Sequence, residues 1–326
     1  MPKVYVTDYE HPSFIHAEKV LERAGISLEL AQSRTEDDVI ANCGDADGLL
    51  VTYAPITRKV MENLPNCKIV VRLGIGFDCI DIPAATDLGV CAVNVPSYCE
   101  EEVADHALAL LLACARKVVV LNNTVKDRVW DYKTGGTIFP LRGSVLGLVA
   151  LGKIARHLAE KVQPLGMKVL GYDPFVDPAT AAAAGIELVD DLAEMASQVD
   201  FLSVHAPLSE ATRHLVNEEV LSRMKPTAFV INTARGPVID EQALIKCLQE
   251  GGIAGAGLDV VDKEPIARDN PLLTMDNVIL TPHVAWYSTA SIAKLQTLAA
   301  EEVVRVLQGD LPKALLNPDV AHRRRQ

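Results

Sequence analysis

The sequence predicts an α/β protein in which two parallel β-sheets are covered by helices. Over the first hundred residues, short β-branched runs alternate with amphipathic stretches, beginning with 4–7 and a helix near 13–24. A second series of this kind begins with the apolar run 144–150 and continues to a strand-like segment at 278–281. Strands that alternate with helices are typical of parallel sheets buried on both faces. The chain has 326 residues, of which 49% are hydrophobic, so it is long enough for two such domains.

The order of the elements predicts that one domain is inserted into the other. We expect residues 1–99 and 290–326 to form a substrate-binding domain and residues 100–289 to form a nucleotide-binding domain. Both are predicted to be Rossmann-like or flavodoxin-like. The final helix, at about 288–308, is expected to return to the first domain. A single long helix is predicted over 100–121, because three glutamates at 100–102 complement the dipole at its N-terminus.

Composition argues against several classes of partner. The net charge of −12 disfavours nucleic acid, and the one basic cluster, 323–325, is expected to be a solvated and frayed tail. No apolar run approaches the roughly 20 residues that cross a bilayer. The N-terminus enters a strand-like run directly, so we expect a cytoplasmic protein without a membrane partner. Seven cysteines, none in a Cys-x-x-Cys spacing, predict neither a metal site nor a disulfide framework.

A turn at 150–155 is a candidate dinucleotide site. It reads Ala150-x-Gly152-x-x-Ala155, whereas the usual pattern that cradles a pyrophosphate is Gly-x-Gly-x-x-Gly. Ala150 is a departure at the position that makes the tight turn, and alone the segment also fits an ordinary strand–helix connection. Asp173 lies 173 − 152 = 21 residues past Gly152, at the end of the next predicted strand. A carboxylate there suits ribose hydroxyls and repels a 2′-phosphate, which predicts NAD rather than NADP.

Three ionisable residues suggest chemistry on a keto acid. Arg235 follows Asn-Thr-Ala, Glu264 precedes a proline, and His283 follows Thr-Pro. A planar guanidinium binds a carboxylate, an imidazole transfers a proton, and a carboxylate orients the imidazole. Each residue alone also fits a plain structural role. Two other histidines, His106 and His157, lie in predicted helices and are interpreted as structural.

Four long motifs, at 146–174, 205–208, 232–241 and 255–260, occur in one order along the chain. With these motifs the chain resembles the D-isomer-specific 2-hydroxyacid dehydrogenases over essentially its whole length. Two further stretches, 71–82 and 281–288, are most similar to the C-terminal binding proteins, which are corepressors that keep a dehydrogenase core. Phosphoglycerate and glyoxylate reductases share much of the same pattern.

The resemblance implies an NAD-dependent oxidoreductase that interconverts a small 2-keto acid and its D-2-hydroxy acid. His283 would be the general acid/base, Glu264 would favour its protonated form, and Arg235 would bind the substrate carboxylate and polarise the carbonyl. The implied cofactor-binding residues are Gly152, Lys153, Ile154, Asp173, His205, Pro207, Thr212, Thr233, Ala234, Arg235, Asp259 and His283. The implied substrate-binding residues are Arg72, Gly74, Ile75, Gly76, Arg235, His283 and Trp286.

Several alternatives stay open at this point. Trp286 fits a wall of the substrate pocket or a core residue equally well, and Tyr53, Ala54, Pro55 and Tyr98 are further pocket candidates. The second function that the resemblance suggests is an NAD(H)-sensing interaction protein with vestigial catalysis. A third interpretation is that Ala150 has ended cofactor binding. A homodimer is expected, because the apolar helix near residue 100 can pack against a second subunit.

Overall fold

The structure, a computed structural model, describes residues 1–9 and 13–325. The chain divides into two units, Met1–Tyr98 with Ser288–Gln326, and Cys99–Tyr287. The predicted boundaries, 1–99 with 290–326 and 100–289, lie beside these breaks, and the roles assigned to the two domains stay predictions. Within the described ranges, no helix is long and apolar enough to cross a membrane.

The first unit is built on a five-stranded sheet with the order β2-β1-β3-β4-β5, in which all pairs are parallel. Its central strands β3 and β4 are buried along their whole length, as expected for apolar runs in a parallel sheet. Its strands are β1 (Lys3–Val6), β2 (Ser27–Leu30), β3 (Gly48–Val51), β4 (Ile69–Arg72) and β5 (Cys91–Val93). Its helices are α1 (Ile15–Arg23), α2 (Glu36–Asn42), α3 (Arg58–Glu62), α4 (Ile82–Asp87) and the last helix of the chain, α12 (Thr289–Leu307). Helix α12 packs against α1.

The second unit is built on a seven-stranded parallel sheet with the order β12-β11-β10-β9-β6-β7-β8. Its strands are β6 (Val145–Val149), β7 (Lys168–Tyr172), β8 (Glu187–Leu188), β9 (Phe201–Val204), β10 (Phe229–Asn232), β11 (Gly255–Leu258) and β12 (Val278–Leu280). Its helices are α5 (Glu100–Ala115), α6 (Val118–Lys126), α7 (Lys153–Val162), α8 (Pro178–Ala183), α9 (Leu192–Gln198), α10 (Glu218–Arg223) and α11 (Glu241–Gln249). The strand order reverses beside β6, which is where such sheets bind ligands. The prediction of two parallel-sheet α/β domains is confirmed.

The prediction of one long helix over 100–121 is wrong. Helix α5 ends at Ala115, and α6 begins at Val118. Between them Lys117 has a φ of 54°, in the left-handed region, where a right-handed helix cannot continue. The Lys117 ammonium lies 4.6 Å from the centre of the Phe229 ring, so the break places a cation over an aromatic face.

The prediction that the basic cluster 323–325 is a frayed tail is also wrong. The Arg325 guanidinium donates hydrogen bonds to the carbonyl oxygens of Leu64, Cys67 and Leu88 at 2.6, 3.1 and 2.8 Å. A further bond of 3.1 Å reaches the carbonyl of Met61. These carbonyls lie at or beyond the ends of α3 and α4, where helices leave acceptors without internal donors. The tail is therefore fixed by carbonyl groups that need a donor.

Candidate active site

The candidate residues of the second unit follow the carboxyl ends of its parallel strands. Loops at these ends meet at one edge of a parallel sheet. The residues that follow β6, β7, β9, β10, β11 and β12 in this way are Gly152, Asp173, His205, Arg235, Glu264 and His283. The predicted nucleotide-binding and catalytic residues of this unit therefore share one edge of the sheet.

His283 and Glu264 form a direct hydrogen-bonded pair. The Nδ1 atom of His283 lies 2.7 Å from Oε2 of Glu264. An ionised carboxylate can only accept a hydrogen bond, so Nδ1 carries a proton in this pair. The ring is thereby held in one orientation, with Nε2 on the side away from Glu264. The His283 side chain is 21% exposed, so a reactant can reach it from solvent.

The backbone at His283 is held in an uncommon conformation. Its φ of 52° lies in the left-handed region, which costs a non-glycine residue about 1 kcal/mol or more. Its amide donates to the carbonyl of Asp259 at 2.8 Å. The indole Nε1 of Trp286 donates to the carbonyl of His283 at 2.9 Å. Both bonds fix the turn that presents the imidazole, and the role of Trp286 as a pocket wall stays a prediction.

The carboxylate of Asp259 organises the loop on both sides of His283. Its oxygens accept the amides of Val284 and Ala285, each at 2.9 Å. The hydroxyl of Thr281 donates to the same carboxylate at 2.5 Å. The Asp259 side chain has no exposed surface. A buried charge of this kind persists only where several donors satisfy it, so the loop and the carboxylate stabilise each other.

His106 of α5 extends this network. Its Nε2 lies 2.9 Å from the hydroxyl of Thr281 and 3.5 Å from Oδ1 of Asp259. The sequence interpretation of His106 as structural did not connect it with the candidate site. His106 carries no motif signal, because the contact joins a helix and a loop that lie far apart in the chain.

Arg235 is positioned by the side chain of Asn232 at the end of β10. The Asn232 amide donates to the carbonyl of Arg235 at 3.0 Å and accepts from the amide of Ala234 at 2.9 Å. The guanidinium of Arg235 donates to the carbonyl of Ala234 at 2.8 Å. These contacts explain the asparagine of the motif, because its side chain fixes the backbone at Ala234 and Arg235.

Gly236 brings the loop of Arg235 against the loop of Glu264. A Cβ atom at Gly236 would overlap the carbonyl group of Val261, so only glycine permits this approach. The amide of Val261 in turn donates to Oε1 of Glu264 at 3.3 Å. The structure therefore brings the two strand-end loops that carry these ionisable groups together.

The nucleotide turn adopts the tight conformation that its usual glycine would favour. Ala150 has a φ of 68°, in the left-handed region. Gly152, by contrast, has a φ of −61° and occupies the N-cap of α7. A Cβ atom at Gly152 would meet no atom of the described chain within 4 Å. The described chain therefore leaves open space beside Gly152, which would allow a group outside the chain to approach its backbone.

The N-terminus of α7 suits an anion. Its N-cap is Gly152, which has no side chain to cap the first turn, and Lys153 and Ile154 are the first residues of the helix. The amides of a helix N-terminus and the helix dipole together favour a phosphate. The Lys153 ammonium lies 3.4 Å from the carboxylate of Glu100.

Two further residues fit a dinucleotide. The carboxylate of Asp173 accepts the amides of Leu151 and Phe175 at 2.8 and 2.9 Å, which fixes its direction at the end of β7. The hydroxyl of Thr233 is buried and has no hydrogen-bond partner among the described residues. A buried hydroxyl without a partner costs free energy unless a ligand satisfies it. Thr233 thus fits a polar group of a bound cofactor.

The loop after β9 carries three of the predicted cofactor residues. The hydroxyl of Thr212 donates to the carbonyl of Pro207 at 2.6 Å and closes the loop. The Nε2 of His205 lies 2.9 Å from the hydroxyl of Ser203. Burial lowers the pKa of His205 to about 4, so its ring is neutral near pH 7.

In the first unit, Arg72 lies at the end of β4 beside the glycine loop 74–76. A Cβ atom at Gly74 would overlap the Arg72 guanidinium, so glycine makes room for the folded arginine. Arg72 donates to the carbonyl of Leu73 at 2.9 Å. The side chain of Asn94 donates to the carbonyl of Ile75 at 2.6 Å and fixes the loop. Gly76 continues the same loop.

With this geometry described, comparison with known proteins identifies the family. The family profile described as D-isomer specific 2-hydroxyacid dehydrogenase, NAD binding domain, matches residues 108–285. The chain belongs to the D-isomer specific 2-hydroxyacid dehydrogenase family. The predicted family, its class of enzyme and its NAD-binding domain are confirmed at this level. The closer likeness to the C-terminal binding proteins stays a prediction.

The relatives of this dehydrogenase chain differ in length and substrate. It is 38% identical over 318 residues to the D-3-phosphoglycerate dehydrogenase of Methanocaldococcus jannaschii, covering 97% of this chain and 60% of that protein. It is 38% identical over 286 residues to the glyoxylate reductase of Korarchaeum cryptofilum, covering 86% of each. The structure of the D-lactate dehydrogenase of Aquifex aeolicus, solved with NAD and lactic acid, has a TM-score of 0.84 at 28% identity. That comparison covers 94% of this chain and 96% of the other.

The neutral His205 leads to a prediction about acid stability. Its pKa is about 4 in the folded chain and about 6.5 when unfolded, so the unfolded state binds the proton more readily between these values. The free energy of unfolding should therefore fall as the pH drops from about 6.5 towards 4. Between pH 7 and pH 5, the free energy of unfolding of His205→Asn should fall by about 1 to 2 kcal/mol less than that of the wild type.

Urea unfolding of both proteins at pH 7 and pH 5 measures the effect. His16→Asn, at an exposed position in α1, serves as the control and should follow the wild type. Equal losses for wild type and His205→Asn would contradict the prediction.

Proposed function

We propose that this chain reduces a small 2-keto acid to its D-2-hydroxy acid with NADH, and that His283 supplies the proton. The observation that carries the proposal is the 2.7 Å bond between His283 Nδ1 and Glu264. It holds the ring in one orientation, so that Nε2, on the side away from Glu264, can deliver a proton to the carbonyl oxygen. In the oxidative direction the same nitrogen, Nε2, takes the proton back.

The other groups of the site bind and orient the reactants. Bound NADH supplies the hydride, and the chain supplies orientation and a proton. Arg235 binds the substrate carboxylate and polarises the carbonyl, since its planar fork suits both tasks better than a lysine does. The phosphoglycerate dehydrogenase and glyoxylate reductase relatives support a small 2-keto acid as the substrate.

We infer NAD rather than NADP as the preferred cofactor. The glycine-capped N-terminus of α7 fits the cofactor, as does the Thr233 hydroxyl, which has no hydrogen-bond partner among the described residues. Asp173 lies at the end of β7, where ribose hydroxyls bind in such folds. A carboxylate at that position repels a 2′-phosphate. The Aquifex aeolicus enzyme, solved with NAD, supports the same choice.

The function is tested by NADH oxidation with a panel of 2-keto acids that includes glyoxylate, hydroxypyruvate, pyruvate and branched acids. At least one acid should be turned over, and His283→Ala should lower kcat by about 10²- to 10⁴-fold. His16→Ala, on the surface of α1, should leave kcat unchanged. Glu264→Gln should also lower kcat, because an amide can turn either its oxygen or its N–H towards Nδ1 and therefore holds the ring less firmly in one orientation.

Two results would redirect the proposal. NADH binding without turnover of any acid would favour the alternative, an NAD(H)-sensing interaction protein with vestigial catalysis. An unchanged kcat in Glu264→Gln would remove Glu264 from its role as the residue that orients His283, while leaving the reaction in place.

The nucleotide turn gives a separate prediction. Gly152→Ala should weaken NADH binding by at least about tenfold, because the added methyl group stands where the pyrophosphate approaches. The thermal midpoint should change little, since a Cβ atom there meets no described atom within 4 Å. Titration of NADH fluorescence measures the affinity. Gly44→Ala in the first unit is the matched control, and equal NADH affinity in the two variants would contradict a cofactor at this turn.

We also propose that the chain forms a homodimer through the segment 118–139. This segment exposes large apolar side chains, among them Trp130 at 90% and Tyr132 at 81%, together with Val118, Val125, Val129 and Phe139. Exposed apolar patches of this kind mark interaction surfaces. Trp130→Ser should raise the dimer dissociation constant by at least about tenfold in sedimentation. Phe175→Ser, at an equally exposed ring outside the segment, should remain dimeric, and a wild-type monomer would contradict the proposal.

A further inference from the structure

Asp8 occupies an unusual place at the end of β1. Asp8 is only 5% exposed. It is not among the residues predicted to bind the cofactor or substrate or to act in catalysis. Its Oδ2 accepts the amide of Tyr53 at 2.7 Å. Its Oδ1 accepts the amides of Thr52 and Ala54 at 3.1 and 3.2 Å. One carboxylate thus binds three successive amides of the loop after β3.

Two hydroxyl groups complete this arrangement. The Thr7 hydroxyl donates to Oδ1 of Asp8 at 2.7 Å, and the Thr52 hydroxyl donates to the Asp8 carbonyl at 2.7 Å. Bonds to an ionised acceptor are stronger than neutral ones, and buried ones are costly to lose. The backbone at 52–54 is therefore fixed by Asp8.

The loop that Asp8 fixes carries an aromatic ring beside Arg72. The Tyr53 ring is 46% exposed, and its centre lies 5.8 Å from the Arg72 guanidinium carbon. Arg72 is itself mostly buried and folded over Gly74. Burial raises the pKa of Cys79, whose thiol is close enough to be influenced by both Arg72 and Asp8. The carboxylate, the ring and the guanidinium therefore belong to one local cluster.

We propose that Asp8 is a positioning residue for substrate selection, which acts by holding Tyr53 in a fixed place beside Arg72. This inference rests on the proposed function, since it assigns Arg72 and Tyr53 to the recognition of a 2-keto acid. Asp8 does not touch the substrate. The Tyr53 ring meets the substrate side chain, and its placement decides which acids fit.

Asp8→Asn separates this role from a simple charge effect. If the amide oxygen replaces Oδ1, the amide nitrogen faces the N–H of Tyr53, so the lost bond is the one at Tyr53. Loss of the negative charge alone would strengthen binding of a substrate carboxylate and lower KM. Displacement of Tyr53 should instead raise KM about tenfold, with little change in kcat. The NADH dissociation constant should stay at the wild-type value, because the cofactor residues lie in the second unit.

Steady-state kinetics on glyoxylate and on a branched 2-keto acid provide the test. The ratio of their kcat/KM values should change about fivefold or more in Asp8→Asn and in the same direction in Tyr53→Ala. In the double variant the two effects should not add, since both act through one ring. Asp81→Asn, which alters an aspartate that caps α4 in the same unit, is the control for lost stability and should leave the ratio unchanged.

Thr7→Val offers a milder change if Asp8→Asn is too unstable to purify. It removes one donor to the carboxylate and should raise KM about two- to threefold. An unchanged or lower KM, or an equal shift in Asp81→Asn, would overturn the role of Asp8. A wild-type protein that turns over none of the acids would instead overturn the proposed function.

Discussion

The position of the imidazole in the second unit depends on one buried carboxylate, that of Asp259. It binds two successive amides just after His283 and the hydroxyl just before it. Its own backbone carbonyl binds the His283 amide. Without this set of bonds, a non-glycine residue would have little reason to stay at a positive φ. The loop itself therefore positions His283, and the bond from Nδ1 to Glu264 adds to that constraint.

The first unit uses the same device at a comparable place. Asp8, like Asp259, follows a parallel strand, and its carboxylate binds successive amides of a neighbouring loop. Loops at the carboxyl end of a sheet carry function but lack the ladder bonds that fix a strand. A buried aspartate supplies acceptors for the amides of such a loop, and those amides satisfy its carboxylate in return. Precise loops can therefore extend from either sheet without further secondary structure.

The parts of this chain that sequence could predict are those with a local signal. Alternation of apolar runs predicts the parallel sheets, and strand-end motifs predict His283 and Glu264, which the structure places in contact. The break at Lys117 left no such signal, because the preceding helix is apolar and the contact that accompanies the break, with Phe229, joins residues more than 100 positions apart. The anchoring of Arg325 depends on carbonyls that lie more than 200 residues earlier in the chain. Asp8 was missed for the same reason, since a single aspartate after a strand resembles an ordinary turn residue.

The first and central glycine positions of the nucleotide turn have different physical requirements, and the chain departs from glycine only at the first of these two. The first position requires a left-handed backbone, and alanine can adopt it at a cost of about 1 to 2 kcal/mol. That cost is internal to the chain, so favourable packing elsewhere offsets it. The central position has an ordinary φ and open space within the described chain. If a pyrophosphate lies at this turn, as the proposed function requires, a side chain at 152 would compete with a group outside the chain, and no internal compensation could make room for it. Under that proposal, an alanine at 150 with a glycine at 152 keeps the turn able to bind the cofactor.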